Sequence, residues 1–262
     1  VYGTVYAFAN GRWHEYGHRS VFKTRILNDF FYEISCFIAY FEPVSWRWSH
    51  THHHSRTIHQ GVDYEIQVTR PSNLLDLFLI DLFGIKRVYF EFKKILLHSL
   101  GIMTPVALDC VPENQRHRMI LTSRIFMLIK ILVIVWAFII GSFLPIMFVV
   151  LPQMYGSPIL QLTTMLQHGG LKADSWDHRE STRTVLLNPI HGWLLYFNMQ
   201  YHIEHHLFPQ VPFYNLPKLH EVIKNQLPPP NQGFIDGLVE MIPAIIKQSK
   251  DPQYYYSKKI PV

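Results

Sequence analysis

From Ile120 to Leu151 the chain reads ILTSRIFMLIKILVIVWAFIIGSFLPIMFVVL, and its only charges are Arg124 and Lys130. A hydrocarbon core about 30 Å thick takes roughly 20 apolar residues as a helix, so this run is long enough to cross a bilayer at least once. It also suits a tight hairpin. One helix would run from about Ile120 to Ile140, turn near Gly141 and Ser142, and return from about Phe143 to Leu166 through the less apolar LPQMYGSPILQLTTML. Lys130 is the awkward residue for a second crossing, since its stem would have to reach for the headgroups. Hydropathy alone leaves one span and two both open.

The other apolar stretches are shorter. Val1 to Ala9 reads as the tail of a span whose start lies outside the sequence. Segments Phe30 to Phe41 and Leu74 to Ile85 carry Glu33, Asp76 and Asp81 and, at about 12 residues, are too short to cross. They are expected to lie in the interface or under a soluble cap. Beyond Leu227 a Pro-Pro-Pro run precedes one helical pattern, Phe234 to Gln248, expected to be docked and cytosolic. With no internal repeat, residues 1–262 read as one domain, with a hairpin at about 120–166 and a cytosolic segment at about 207–262.

Composition removes several classes. Hydrophobic residues at 48% and charged residues at 16% exclude disorder and a collagen-like fold. Two cysteines, Cys36 and Cys110, cannot build a disulfide framework, a four-cysteine zinc site or an iron–sulfur cluster. The net charge of +5 is modest, and the basic residues form no dense stripe interleaved with aromatics, so no nucleic acid partner is expected.

Histidine is the outlier, with 16 copies. His14 and His18 lie in HEYGH, His50, His53 and His54 in HTHHH, and His202, His205 and His206 in HIEHH. On a helix, positions i, i+3 and i+4 share one face, so each cluster presents its imidazoles on one side, as metal ligands must be. His52 falls about 200° from His50 on the same wheel and points away. His59, His98, His117, His178, His191 and His220 occur singly and read as ordinary hydrogen-bonded residues. Eight clustered imidazoles exceed the three or four that one zinc holds, so two ions or one overcrowded site is implied. His168, in QHGG, is a ninth candidate. A nearly all-nitrogen donor set favours iron or another redox-competent transition metal over magnesium or calcium.

A shared site fixes the topology. Residues 19–49, between His18 and His50, are too few for two crossings, and a single crossing would strand one cluster on the wrong face. Between His54 and His168 two crossings are required, which selects the hairpin. Of the 24 Lys and Arg, none lies between Gly141 and Gly170, so the positive-inside rule puts the histidine side in the cytoplasm.

The order H-x3-H, H-x2-HH and a distant H-x2-HH resembles the membrane fatty acid desaturase superfamily over nearly the whole chain, through HEYGHRSVF, WRWSHTHHHSRT, QHGGLKADSWDHRESTRT and NMQYHIEHHLFPQVPFYNLPKLH. The last two passages look closest to bacterial dihydrorhizobitoxine-desaturase-like proteins. The resemblance implies an all-α integral membrane protein: a bundle of four transmembrane helices, the first one or two truncated here, under a cytosolic helical cap that holds two iron ions. The ligands it implies are His14, His18, His50, His53, His54, His168, His202, His205 and His206. Some family members place an asparagine one turn before the transmembrane-helix histidine; here that position is Thr164. Asn198, one turn before His202, reads equally as a polar supporting residue or as a cap.

The expected function is an oxidoreductase of lipid metabolism and fatty acid biosynthesis. It would desaturate an acyl chain using O2 and a separate electron donor of the ferredoxin or cytochrome b5 type, with no residues beyond the metal ligands in a catalytic role. Lys86, Arg87, Lys93 and Lys94 are candidates to attract an acidic donor or anionic lipid. Asp174, Asp177, Glu204, Glu15 and Asp63 are candidates to orient imidazoles, and Arg179 and Arg183 to hold those acids or an anionic headgroup. Trp46, Trp48, Trp176, Trp193 and Tyr196 read as interfacial anchors or core. Hydroxylation or ketolation of a hydrophobic substrate is the alternative oxidation. HEYGH is also a formal zinc-protease H-E-x-x-H, with Glu15 as base, but that reading leaves the other histidine clusters unexplained.

Overall fold

Two short helices, α1 (Tyr2–Ala7) and α2 (Ala9–Gly17), open the chain and break at Phe8. Then come α3 (Arg25–Ala39) and α4 (Pro43–Ser55), irregular helical turns at Asp76–Ile80 and Asp81–Phe83, α5 (Ile85–Ser99), α6 (Pro105–Cys110) and α7 (Glu113–Ile139). After a π-helical turn at Ile146–Val150 follow α8 (Pro152–Tyr155), α9 (Ser157–His168) and α10 (His178–Ser181). A second π-helical turn at Ile190–Leu195 leads to α11 (His202–Leu207), α12 (Leu216–Ile223) and α13 (Phe234–Gln248). This computed structural model describes residues 1–261, and among them the only extended pairing is two isolated bridges, Thr184 to Tyr201 and Val185 to Asn231. The fold is therefore all-α.

Among the described residues α7 alone is long and apolar enough to cross a membrane. At 27 residues it is about 40 Å long. A soluble core helix would hide its large side chains, yet Leu128, Leu132 and Phe138 are 56%, 56% and 79% exposed. Lys130 does not reach outward. It is buried, with its Nζ 3.5 Å from the Tyr40 ring centre and 4.2 Å from that of Phe37, a cation held on aromatic faces.

The returning arm departs from the expected single helix over Phe143–Leu166. Proline is the cause: Pro152 has no N–H, and its ring clashes with a straight helical path, so the arm is cut into the π-helical turn, α8 and α9. The carbonyls left over are not bare. Tyr2, Tyr6 and Tyr40 donate their hydroxyls to the carbonyls of Phe148 (2.7 Å), Val149 (2.9 Å) and Val150 (2.7 Å). Close backbone approach then joins α1 to this arm, since a Cβ on Gly156 would lie 1.9 Å from the Gly3 carbonyl oxygen. Small residues permit such contacts between helices.

α3 buries Tyr32, Cys36 and Ala39 on one face and carries an apolar stripe flanked by acids on the other. Ile26, Phe30 and Ile34 are exposed, while Asp29 accepts from Arg19 and Arg47 and Glu33 from Arg118. The Leu74–Ile85 segment forms a π-helical turn and a 3-10 turn that lead at Ile85 into α5, a helix with no clear signature of its own in the sequence. α13 spans the residues expected from its pattern.

Candidate metal centre

Four helices carry the clustered histidines to one place. α4 starts cleanly because Glu42 accepts from the Val44 and Ser45 amides (3.1 and 2.6 Å) and Pro43 occupies the first turn. Its inner face then presents His50, His53 and His54. α2 and its C-cap supply His14 and His18, the last residue of α9 is His168, and α11 supplies His202, His205 and His206. At the end of α9 the chain turns through Gly170, whose φ of +78° suits glycine and where a Cβ would lie 2.6 Å from that of Ala244.

The nine imidazoles fall into two groups. His14, His18, His50, His54 and His205 form one, and His53, His168, His202 and His206 the other; within each the donor atoms lie within 4.8 Å of one another. The groups abut, with the His54 and His206 rings 4.5 Å apart. His52 belongs to neither. In the first group the Nε2 atoms of His18 and His50 are 3.2 Å apart, His50 and His54 3.1 Å, and His54 and His205 3.1 Å. In the second, His168 and His202 are 3.1 Å apart and His202 and His206 3.2 Å. Two nitrogens about 2.1 Å from one ion, at angles between square and tetrahedral, stand roughly 3.0–3.4 Å apart. The spacing fits a shared ion in each group.

Proton placement supports that fit. His50 Nδ1 donates to Glu65 (2.9 Å), His53 Nδ1 to Asp63 (2.8 Å) and His168 Nδ1 to the Ser181 carbonyl (2.9 Å). Thr57 donates its hydroxyl to the His53 carbonyl (2.8 Å), so its oxygen accepts from His206 Nδ1 at 3.1 Å. Each such contact puts the proton on Nδ1 and leaves a lone pair on Nε2 aimed inward. His14 Nε2 is buried with no partner at all, a cost that a bound cation removes. Burial, then repulsion from neighbouring imidazoles, holds His14, His54, His202 and His206 well below the usual histidine range, and His18 and His205 likewise. Burial would also depress His53, but Asp63 outweighs it. The donor set is neutral nitrogen with carboxylates only behind it, which suits a borderline transition metal.

Of the acids singled out by sequence, Asp63 meets an imidazole directly. Glu15 is fully buried, accepts from the Phe213 amide at 3.0 Å, and lies 3.3 Å from His14 Nδ1 and 3.7 Å from His205 Nδ1. It therefore stands behind the ring nitrogens that face away from the centre, the wrong side for a protease base. Glu204 does not touch the nine; it pairs with His220 and accepts from Thr184. Asp174 accepts from the Gln60 amide, and Asp177 caps α10 and pairs with Arg179. Arg183 is committed to Glu240 and to the carbonyls of Leu166 and Gly169. Asn198, at φ +53°, is a turn residue that donates to the Phe213 carbonyl. Thr164 bonds its own helix backbone. Sequence reasoning missed Glu65 and Thr57. Glu65 was findable, two residues from Asp63 in VDYE, whereas nothing distinguishes Thr57 locally.

A cavity of about 370 Å³ opens on both histidine groups, touching His14 and His50 of one and His53, His168 and His202 of the other. Trp13, Phe41, Trp46, Met165, Tyr196 and Met199 form its apolar wall. Trp46 and Tyr196 are thus lining as well as core. Trp176 is exposed and packs at a tilt against His59, with ring centres 4.6 Å apart. The basic quartet is dispersed: Lys86 pairs with Asp76 and Lys94 with Glu91, Arg87 turns inward to Gln153 and Ser157, and Lys93 alone is exposed.

A sequence model of the fatty acid desaturase family matches residues 1–237, a stretch that holds all nine of these histidines. The chain belongs to the fatty acid desaturase family. No curated protein matches it. The family consists of membrane-associated oxidoreductase-type enzymes of lipid metabolism that typically use iron, and the two histidine groups are compatible with that metal.

Proposed function

We propose that the chain is an O2-dependent fatty acyl desaturase whose nine histidines hold two iron ions. The observation that carries this reading is the split into abutting groups of five and four imidazole donors that open on one shared cavity with an apolar wall. Iron held there would supply the oxidation of an unactivated carbon–hydrogen bond, which no side chain provides.

The protein's own part is positioning and exclusion. Asp63, Glu65, Thr57 and the Ser181 carbonyl fix protons on the outer nitrogens, so the inner lone pairs stay free and the rings stay oriented. Trp13, Phe41 and Trp46 pack with ring centres 4.2–5.3 Å apart and keep water from the wall along which an acyl chain would lie. The cavity volume falls in the range of small-molecule sites, roughly 300–1,000 Å³. Desaturation removes two hydrogens from neighbouring methylenes. Reduction of one O2 to two waters takes those hydrogens together with two more protons and two electrons, which a separate ferredoxin or cytochrome b5-type donor would deliver.

In this proposal residues 1–262 are one domain, α7 and the broken arm through α9 are a membrane hairpin within a larger bundle, and the histidine centre faces the cytoplasm. Within the family, QHGGLKADSWDHRE and NMQYHIEHHLFPQ favour kinship with the dihydrorhizobitoxine-desaturase-like branch. The test is mass spectrometry of lipids from a host expressing the chain with iron and a donor. Products lacking two hydrogens support desaturation, products gaining one oxygen replace it with hydroxylation, and unchanged lipids at full iron loading overturn both.

A further inference from the structure

α13 carries a buried apolar stripe and an exposed one. One face, with Met241 and Ile245 buried, packs on Met165 and Leu166 of α9 and on Leu77. Beside it Ile235, Val239 and Ile246 recur at helical spacing and form an exposed second stripe, with Ile242 at the boundary packing on the core. Ile235 is 68% and Val239 67% exposed, and among the described residues nothing covers them.

Bulk water is a poor neighbour for such a stripe, and the surroundings say what covers it. The inner face of α13 rests on the end of the returning membrane arm. The segments packed beside it are also apolar outward: Leu75 and Leu79 next to Leu77, and Trp193 and Leu194 close to His191, whose ring lies 5.3 Å from that of Phe234 at the start of α13. Lys247 and Lys250 stand exposed at its C-terminal end, where cations meet headgroups. The surface of α13 thus continues the lipid-facing flank of the hairpin.

We propose that the outer stripe of α13 lies in the headgroup and acyl boundary of the leaflet where α9 ends, making the C-terminal helix a membrane-surface anchor instead of a water-facing part of the cap. Such placement matches the pattern of interfacial helices, with one apolar face and charge at the margin. It is independent of which reaction the histidine centre performs.

The test uses the full chain in phosphatidylcholine–phosphatidylglycerol liposomes. A polarity-sensitive fluorophore is attached at Val239→Cys, at Ile246→Cys and, as a water-side control, at Glu221→Cys; the native Cys36 and Cys110 are buried. The expected result is several-fold stronger quenching of the Val239 and Ile246 labels by lipids brominated along the acyl chain than of the Glu221 label, with weak quenching by aqueous iodide. Iodide quenching at Val239 equal to that at Glu221 overturns the proposal. So does shielding from both quenchers that is lost on diluting protein in lipid, which assigns the stripe to a second copy of the chain.

Discussion

The Glu65 carboxylate sits 2.9 Å from Nδ1 of His50, on the side of the ring opposite the Nε2 that faces His18 and His54. The same carboxylate accepts from Ser49 at 3.1 Å. It is therefore held from two sides and sets both the tautomer and the angle of the imidazole. Removing it should loosen the metal and leave the fold standing. Glu65→Ala is expected to weaken metal affinity about 10- to 100-fold, with Glu65→Gln milder because its oxygen still accepts. Iron retention after dialysis against graded chelator, beside unchanged far-ultraviolet circular dichroism, checks this.

The two histidine groups predict separable losses. His168→Ala removes a donor from the group of four, and His18→Ala one from the group of five. The smaller group has less redundancy, so His168→Ala should fall from two irons towards one per chain, while His18→Ala keeps more than one. Plasma mass spectrometry of the purified variants measures the ratio. Equal losses would mean that the groups do not bind independently.

Glu240 makes a pH prediction. Burial would raise its carboxyl, but Arg183, Asn231 and Lys258 outweigh burial and hold it below the usual glutamate range. A carboxylate depressed in the folded state stabilises fully above its unfolded pKa, and that contribution is lost as pH falls through the folded value. Arg183 is 1% exposed, so Glu240→Gln leaves a buried cation uncompensated and should cost about 3 kcal/mol at pH 7. Thermal unfolding in detergent should show the gap between wild type and variant closing as pH drops below about 4.3.

Gly156 tolerates no side chain. The Cβ of Gly156→Ala would meet both the Gly3 and Pro152 carbonyl oxygens, at 1.9 and 2.7 Å. Because these are backbone atoms, the strain cannot be relieved by a rotamer change, and α1 must separate from the returning arm. A loss of about 1–3 kcal/mol is expected, seen as a lower midpoint in thermal unfolding. Gly141→Ala meets no atom within 4 Å, but its φ of +60° is strained for alanine, so it should cost less, about 1 kcal/mol.

The centre was more legible in the sequence than the helices that carry it. Helical spacing alone groups His50 with His53 and His54, and His202 with His205 and His206, because one turn of helix fixes which imidazoles share a face. Division into five and four was not readable: His53 and His54 are adjacent in sequence yet face different groups, His53 meeting His168 and His206 and His54 meeting His18 and His205, partners that only the tertiary fold supplies. The α7 span and α13 were visible from composition and period. The returning arm was expected as one helix, but its break at Pro152 was not, since the tyrosines that satisfy the freed carbonyls lie far away in sequence. α5 escaped notice because Lys86, Arg87, Lys93 and Lys94 read as a charged surface, whereas three of the four turn to partners within the fold.

Those tyrosines bear on the order in which the molecule can assemble. The Phe148, Val149 and Val150 carbonyls are satisfied by residues 146, 143 and 110 positions earlier in the chain. A carbonyl left bare away from water costs free energy comparable to a lost hydrogen bond, so the crooked stretch cannot mature by itself. It must wait until α1 and the end of α3 stand alongside, which makes these early helices a template for the arm that leads to His168.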